Sequence, residues 1–529
     1  MDPRPSSPPS RPPVPPTVPE ANNWKADVPA SIVVLLVALP LCLGIALASG
    51  APLFAGIIAG VVGGIVAGSI SGSPLMVSGP AAGLTAIVAS AIMTMGSFDA
   101  FLVAVVLGGV LQLGLGVARA GIIGNYFPTA VIRGMLTAIG LTLILKQIPH
   151  AVGYDADAMG DLAFLQGNAE NTFSALMRAV SMVELTAVIL SVTALAILVV
   201  WSQTSLKRMK LLPAPLVAVV LGVVGHQWLA TLGPEFVLDA EHMVALPVPD
   251  SVDDLWGLLV FPDWSALMRA QTWTVAITIG IVASLESLLS LEATGRLDPY
   301  KREVSADREL TAQGIGNVVS GLLGGLPITG VIVRSSANVN AGARTRMSAI
   351  LHGVLLAIAV LSIPAWLNLI PLASLAAILL YTGFQLAHPS LVRRMWVQGQ
   401  SQFVPYAVTV VAILLTDLLV GIGIGLATGL CFVLFDQARY PPFAEERDAD
   451  GTLRLRFQDQ VSFLHKAALV AYLDGLPAGT RVVVDGSETR HIDHDVLELL
   501  DDFRERAGLR RVDFSTAGVA LPADGPGGH

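Results

Sequence analysis

Between Ala30 and Phe435 the chain is apolar almost without interruption, broken by two longer polar stretches. Segments such as LLVALPLCLGIALA (35–48) and AILHGVLLAIAVLSI (349–363) are apolar on every side, so no face remains to meet water. Each spanning helix takes roughly 20 apolar residues, and the run has room for about a dozen. A transmembrane barrel would instead show roughly ten-residue strands of alternating polarity. Charged side chains make up 13% of the 529 residues, against about 25% in average soluble chains. The fold class is therefore an α-helical polytopic membrane protein, and a soluble enzyme is excluded.

The apolar runs predict helices near 30–48, 53–70, 81–95, 100–118, 129–147, 182–202, 213–231, 272–292, 309–323, 331–340, 347–363, 371–387, 403–418 and 420–435. Two of them, after Ser78-Gly79-Pro80 and after Pro327-Ile328-Thr329-Gly330, are short and introduced by glycine and proline, which fits half-helices. Basic residues recur on alternate loops: Lys207, Arg208 and Lys210; Arg296, Lys301, Arg302 and Arg308; Arg344 and Arg346; Arg393 and Arg394. The opposite loops are acidic, with Asp155, Asp157 and Asp161, then Glu235, Asp239, Glu241, Asp250, Asp253 and Asp254. The positive-inside rule then predicts cytoplasmic N- and C-termini in the cell (inner) membrane and an even number of crossings.

Residues 1–23 form a proline-rich tail that cannot bury a core and is expected to be disordered, with no cleavable signal peptide. The transmembrane domain spans 24–438, and a small soluble β/α domain follows at 439–520. Its signals are TLRLRF (452–457), HKAALVAYL (465–473), RVVVD (481–485), DVLELLDDFRERA (495–507) and RRVDF (510–514). Residues 521–529 read as a second disordered tail. Cys42 and Cys431 are the two cysteines; both sit in apolar runs and give neither a disulfide framework nor metal-ligand spacing. No nucleic-acid partner is expected.

An internal repeat divides the membrane domain at about 24–231 and 270–438. VALPLCLGIALASG (37–50) resembles VASLESLLSLEATG (282–295), and SGPAAG (78–83) is matched by LPITGV (326–331) some thirty residues later. Transporters built from such repeats place substrate near the midplane between discontinuous helices. A helix that begins inside the membrane offers N–H groups without intrahelical acceptors and roughly half a positive charge. Two such ends facing each other attract an anion. The alternative is that Gly and Pro here only permit close helix packing. Arg334, about one turn into the second half-helix, adds a full positive charge.

Glu286 lies near the middle of the helix that opens the second half. A carboxylate at that depth costs at least roughly 2.5 kcal/mol, so it calls for a proton, a partner or a bound cation. Ser290, at i+4, shares its face. One reading is a coupling site for Na⁺ or H⁺; the other is a structural ion pair with Arg334. Neither a nucleotide-binding loop nor a catalytic triad is found, and no cofactor is called for beyond the coupling cation.

VSGPAAGLT (77–85), GNVVSGLLGGLPITGVIVRSSANVNAGARTR (316–346) and the C-terminal β/α domain together resemble the SulP family of anion transporters, relatives of sulfate permeases. The resemblance covers roughly Trp24 to Phe514. It implies fourteen membrane segments in a 7+7 inverted repeat, a core domain moving against a gate domain, a homodimer in the lipid bilayer, and a cytoplasmic STAS domain (sulfate transporter and anti-sigma factor antagonist). By position it implies an anion site at Gly79, Pro80 and Ala81 on one side and Gly330, Val331, Ile332 and Val333 on the other, with Arg334 beside it. Glu286 and Ser290 match the coupling positions of Na⁺-dependent bicarbonate members. Ile332 stands where those relatives carry a hydroxyl residue, which favours H⁺, and Asp493 is followed by His494 where anti-sigma antagonists carry a phosphorylatable serine.

The implied function is secondary transport of a small inorganic anion, bicarbonate, coupled to H⁺ or Na⁺. Sulfate or a dicarboxylate such as fumarate on the same fold, an uncoupled exchanger or channel, and a membrane-anchored scaffold stay open.

Overall fold

A computed structural model describes residues 23–156, 164, 171–204, 206, 213–246 and 257–521. The expectations for the first 22 residues, Asp157 and Asp161, Lys207, Arg208 and Lys210, Asp250, Asp253 and Asp254, and residues 522–529 lie outside the described residues. The chain divides by its contacts into two units, up to Leu426 and from Ala427.

Each of the fourteen apolar runs coincides with a helix. They are α1 (Trp24–Ala48), α2 (Leu53–Ile70), α3 (Ala82–Met95), α4 (Phe98–Val117), α5 (Thr129–Ala151), α6 (Leu185–Gln203), α7 (Ala214–Ala230), α8 (Ala270–Leu297), α9 (Ala306–Leu322), α10 (Ile332–Asn340), α11 (Met347–Ser362), α12 (Leu372–Leu386), α13 (Gln400–Leu415) and α14 (Leu418–Arg439). Among the described residues, eight helices are long and apolar enough to cross a membrane. The protein is a helical multi-span membrane protein.

Packing sorts these helices into two sets. In the first, α4 lies against α8 and α9, and α1 against α2, α10 and α11; in the second, α5 lies against α12 and α13, and α6 against α7 and α12. Between α5 and α12 the backbones touch: a Cβ on Gly140 would lie 2.6 Å from the Gly383 carbonyl oxygen, so only glycine allows that crossing. The first set contains the two interruptions. Strand β1 (Ser78–Pro80) precedes α3 and strand β2 (Ile328–Gly330) precedes α10, and the two pair antiparallel with Ser78 opposite Gly330.

The unit from Ala427 carries strands β3 (Phe443–Arg447), β4 (Leu453–Phe457), β6 (Arg481–Asp485) and β8 (Asp513–Ala517) in that order in one sheet, antiparallel at β3–β4 and parallel beyond. A short pair, β5 (Gln460–Val461) and β7 (His491–Ile492), and helices α15 (Lys466–Asp474) and α16 (His494–Ala507) complete it. Leu455, Val482, Val484, Leu469, Val496 and Leu500 form its core. The β3 strand was not anticipated, although Asp450-Gly451 is a hairpin signal, with Gly451 at φ 83°. The last strand starts at Asp513 rather than Arg510 because Arg511 adopts φ 58°, which is not extended.

Outside the spanning segments, Asp155 joins the loop after α5 to the long connection after α7. Its two carboxylate oxygens meet His150 Nδ1 at 2.5 Å and His242 Nδ1 at 2.6 Å. Burial pushes the Asp155 carboxyl up, but the hydrogen bonds from His150 and His242 outweigh it and hold it below its ordinary 3.8. The hydrogen bond to Asp155 raises His242 above 6.5 against its own desolvation. The His242 contribution to stability is thus complete below pH 6.5 and fades as pH rises through its raised value. The Asp155 contribution is complete above pH 3.8 and is lost as pH falls through its depressed value. Thermal unfolding followed against pH should therefore give its highest midpoint between those limits, and Asp155→Asn should lower that maximum by about 2 °C and flatten the profile; an unchanged profile would discard this clamp.

Candidate functional site

The bilayer leaves no water for unpaired backbone, so the two non-helical segments need partners inside the protein. Beyond their mutual pairing, the Val331 N–H donates to the Val77 carbonyl (2.9 Å) and the Ser335 hydroxyl accepts from the Val77 N–H (3.0 Å). The Gly330 N–H donates to the Ser287 hydroxyl of α8 (3.2 Å), and further partners come from one polar stripe on α9. Glu309, Gln313, Asn317 and Ser320 are all buried. Spaced by four, four and three residues, they share a face. Gln313 donates to the Ser78 hydroxyl (2.6 Å) and to Glu309 (2.6 Å). The Asn317 amide donates to Gln112 (2.8 Å) and to the Ile328 carbonyl (2.9 Å), and accepts from the Ile328 N–H (2.6 Å). Ser320 donates to the Leu326 carbonyl.

Held in this way, both helices start without caps. Ala81 precedes the 3₁₀ turn Ala82–Leu84 at the start of α3, and Val331 precedes α10; neither side chain caps its helix. The first N–H groups of each helix therefore lack the usual acceptor, and each end carries partial positive charge.

A cavity of about 310 Å³ opens beside these ends. Its walls come from α1 (Leu41, Ile45), α3 (Ala82, Gly83, Thr85), α5 (Met135, Ile139, Thr142), α8 (Glu286, Leu289, Ser290), α10 (Val331 to Arg334) and the α13–α14 region (Ile413, Asp417 to Val420, Ile422). Four buried side chains in that wall have polar atoms without a hydrogen-bond partner: Thr85 Oγ1, Thr142 Oγ1, Glu286 Oε2, and Arg334 Nε and Nη1. Buried polar groups are nearly always paired, and four orphans on residues that line one cavity mark it as a place for a polar or charged occupant.

Glu286 is 7% exposed and Arg334 fully buried. Among the described residues no ion pair joins them. Arg334 turns toward α1, where Nη2 donates to the Cys42 Sγ (3.2 Å), and its Nη1 occupies the space a Cβ on Gly79 would need. Glu286 rests against α3 instead, where a Cβ on Gly83 would lie 3.0 Å from its Oε1. A side chain at Gly79 would collide with the guanidinium, and one at Gly83 would press on the carboxylate.

Of the positions singled out from the sequence, Val331, Ile332, Val333, Arg334, Glu286 and Ser290 line the cavity. Gly79, Pro80 and Gly330 lie in the strand pair, with Ala81 just after it; the α3 wall begins one residue later at Ala82. Sequence reading missed Thr85, Thr142 and Asp417 in the wall and the α9 stripe behind it. The stripe had a signal, since Glu309, Gln313 and Asn317 recur every four residues next to an apolar run.

Residues 24–409 match the sulfate permease family. The chain belongs to that family. It is a family of transporters, not of enzymes. The chain is 28% identical over 388 residues to the putative sulfate transporter YvdB of Bacillus subtilis, across 71% of this chain and 69% of that one. It is also 28% identical over 367 residues to the bicarbonate transporter BicA of Synechocystis, across 67% of this chain and 59% of the relative. Among solved structures, it resembles the transmembrane domain of a cyanobacterium bicarbonate transporter BicA (TM-score 0.55, 24% identity, 78% of this chain and 99% of that one). It also resembles the murine Solute Carrier 26 family member A9 anion transporter (TM-score 0.63, 14% identity, 96% of this chain and 87% of that one). At those identities the structures speak for the fold.

If the α9 stripe sets the height of the two helix starts, Asn317→Ala leaves the Ile328 N–H and carbonyl unpaired, a cost of about 1–3 kcal/mol for each buried group. Anion uptake by that variant should fall at least roughly tenfold and its thermal midpoint should drop. Uptake at the unmodified level would show that Asn317 does not hold the site.

Proposed function

We propose that this protein is a secondary transporter carrying a small inorganic anion, bicarbonate, across the cell membrane by alternating access, coupled to H⁺ or Na⁺ through Glu286. The carrying observation is the convergence of uncapped helix N-termini and four unpartnered polar side chains on one cavity of about 310 Å³. Backbone N–H groups and the Arg334 guanidinium suit an oxyanion. The wall is otherwise mostly apolar and carries the further carboxylate Asp417, which favours a monoanion, because a doubly charged anion loses more hydration on entry and meets more repulsion. Among the described residues no cation touches Glu286, which leaves a proton or Na⁺ from solution to neutralise it. One monoanion moving with one such cation is electroneutral; each unbalanced charge would add roughly 2.3 kcal/mol per 100 mV.

In this reading the helices form fourteen membrane segments in a 7+7 inverted repeat. The set containing α1–α4 and α8–α11 is the core that carries the site, and α5–α7 with α12–α14 is the gate it moves against. Both termini are cytoplasmic, the mixed α/β region is a STAS domain, and the protein is a homodimer.

Uptake of labelled bicarbonate into proteoliposomes holding purified protein tests this, with an inward H⁺ gradient, an inward Na⁺ gradient or neither, and with CO₂ leak subtracted from empty vesicles. Gradient-driven uptake is expected, with Glu286→Gln reducing it at least roughly tenfold while the protein still folds. Normal gradient-driven uptake by Glu286→Gln would remove the coupling role. Sulfate or fumarate transport without bicarbonate transport would overturn the substrate and keep the site.

A further inference from the structure

Met135, Ile139, Thr142 and Leu143 of α5 all line the cavity. Their spacing of i, i+4, i+7 and i+8 puts them on one helix face, and Thr142 brings the hydroxyl on it. The adjoining side of α5 is committed to packing, with Gly140 against Gly383 of α12. A helical threonine ordinarily returns its hydroxyl to the carbonyl one turn back. Thr382 does so to Ile378 (2.9 Å) and Thr409 to Pro405 (2.6 Å). Thr142 does not: it is 6% exposed and its Oγ1 has no partner. Among the described residues, Thr85 and Thr142 are the two buried hydroxyls without a partner in this wall, and Thr85 is in α3, in the helix set that also carries Glu286 and Arg334 on α8 and α10. Among the described residues, Thr142 is the one unpartnered hydroxyl that the other helix set brings to this wall, where Asp417 also stands.

We propose that the Thr142 hydroxyl is a direct contact of the transported oxyanion, donated from the α5–α12–α13 set to an anion held by the α3 and α10 helix starts. The inference rests on the transporter reading and adds to it a bridge between the two sets. An occupied site then satisfies Thr142 and favours approach of the sets, whereas an empty one leaves the hydroxyl unpaired. Occupancy is thereby linked to closure through one hydrogen bond. The contact needs no titration and no change of charge.

The test measures initial rates of labelled bicarbonate uptake against concentration in proteoliposomes of the full chain, for the unmodified protein, Thr142→Val and Thr142→Ser. Thr142→Val should raise the half-saturating bicarbonate concentration about tenfold, the equivalent of about 1.4 kcal/mol. Thr142→Ser should stay within about twofold of the unmodified protein. The dependence on the coupling cation should be the same in all three. An unshifted half-saturation in Thr142→Val overturns the contact, as does an equal shift in Val and Ser, which would assign the effect to packing. A shift confined to the cation dependence overturns it too, by assigning the hydroxyl to the coupling ion. If Thr142→Val does not fold, Thr142→Ala reads the same loss. Absence of any anion uptake by the unmodified protein would remove the transporter reading itself, whereas normal uptake with an unshifted variant removes this contact alone.

Discussion

Six residues, Ser78–Pro80 and Ile328–Gly330, pair as antiparallel strands inside a helical membrane unit. In a bilayer this is the costly arrangement, since extended backbone has no internal hydrogen bonds of its own. The protein meets that cost with the strand pairing itself, with Asn317 and Ser320 of α9 on the backbone of Ile328 and Leu326, and with the Ser287 hydroxyl of α8 on the Gly330 N–H. The return is two helices that start side by side without caps. A continuous helix through either segment would consume those N–H groups in its own ladder and leave the cavity nothing to offer an anion.

The charges around that backbone feature are kept apart. Arg334 reaches past Gly79 to Cys42, and Glu286 leans on Gly83, so each has a separate space although both face one cavity. A direct ion pair would neutralise both and favour an empty site. Separation leaves the guanidinium and the carboxylate each uncompensated by the other, the arrangement on which the proposed coupling of an anion to a cation rests. The small residues of the SGPAAG segment matter here by the volume they do not fill.

Much of the membrane unit was legible in the sequence because lipid exposure makes hydropathy a direct report of structure. The fourteen apolar runs, the two short ones among them and the placement of Glu286 all follow from that. What was not legible depended on which side of a helix faces which neighbour. Thr142 and Thr85 are unremarkable as letters in an apolar run, and only the packing of α5 and the start of α3 puts both in the wall of one cavity. Whether Glu286 pairs with Arg334 was open in the sequence, and among the described residues no ion pair joins them, since Arg334 reaches Cys42 and Glu286 lies against Gly83. In the smaller unit, the missed strand β3 carries a mostly polar sequence, FAEER, whose pairing with β4 supplies what its composition lacks.

A structure determined with bicarbonate present at saturating concentration examines the central claim most directly. Density for an anion between Ala82–Thr85 and Ile332–Arg334, within hydrogen-bonding distance of the backbone N–H groups of both helix starts, is the expected result. An anion bound away from both starts, with the strand pair intact, would contradict it.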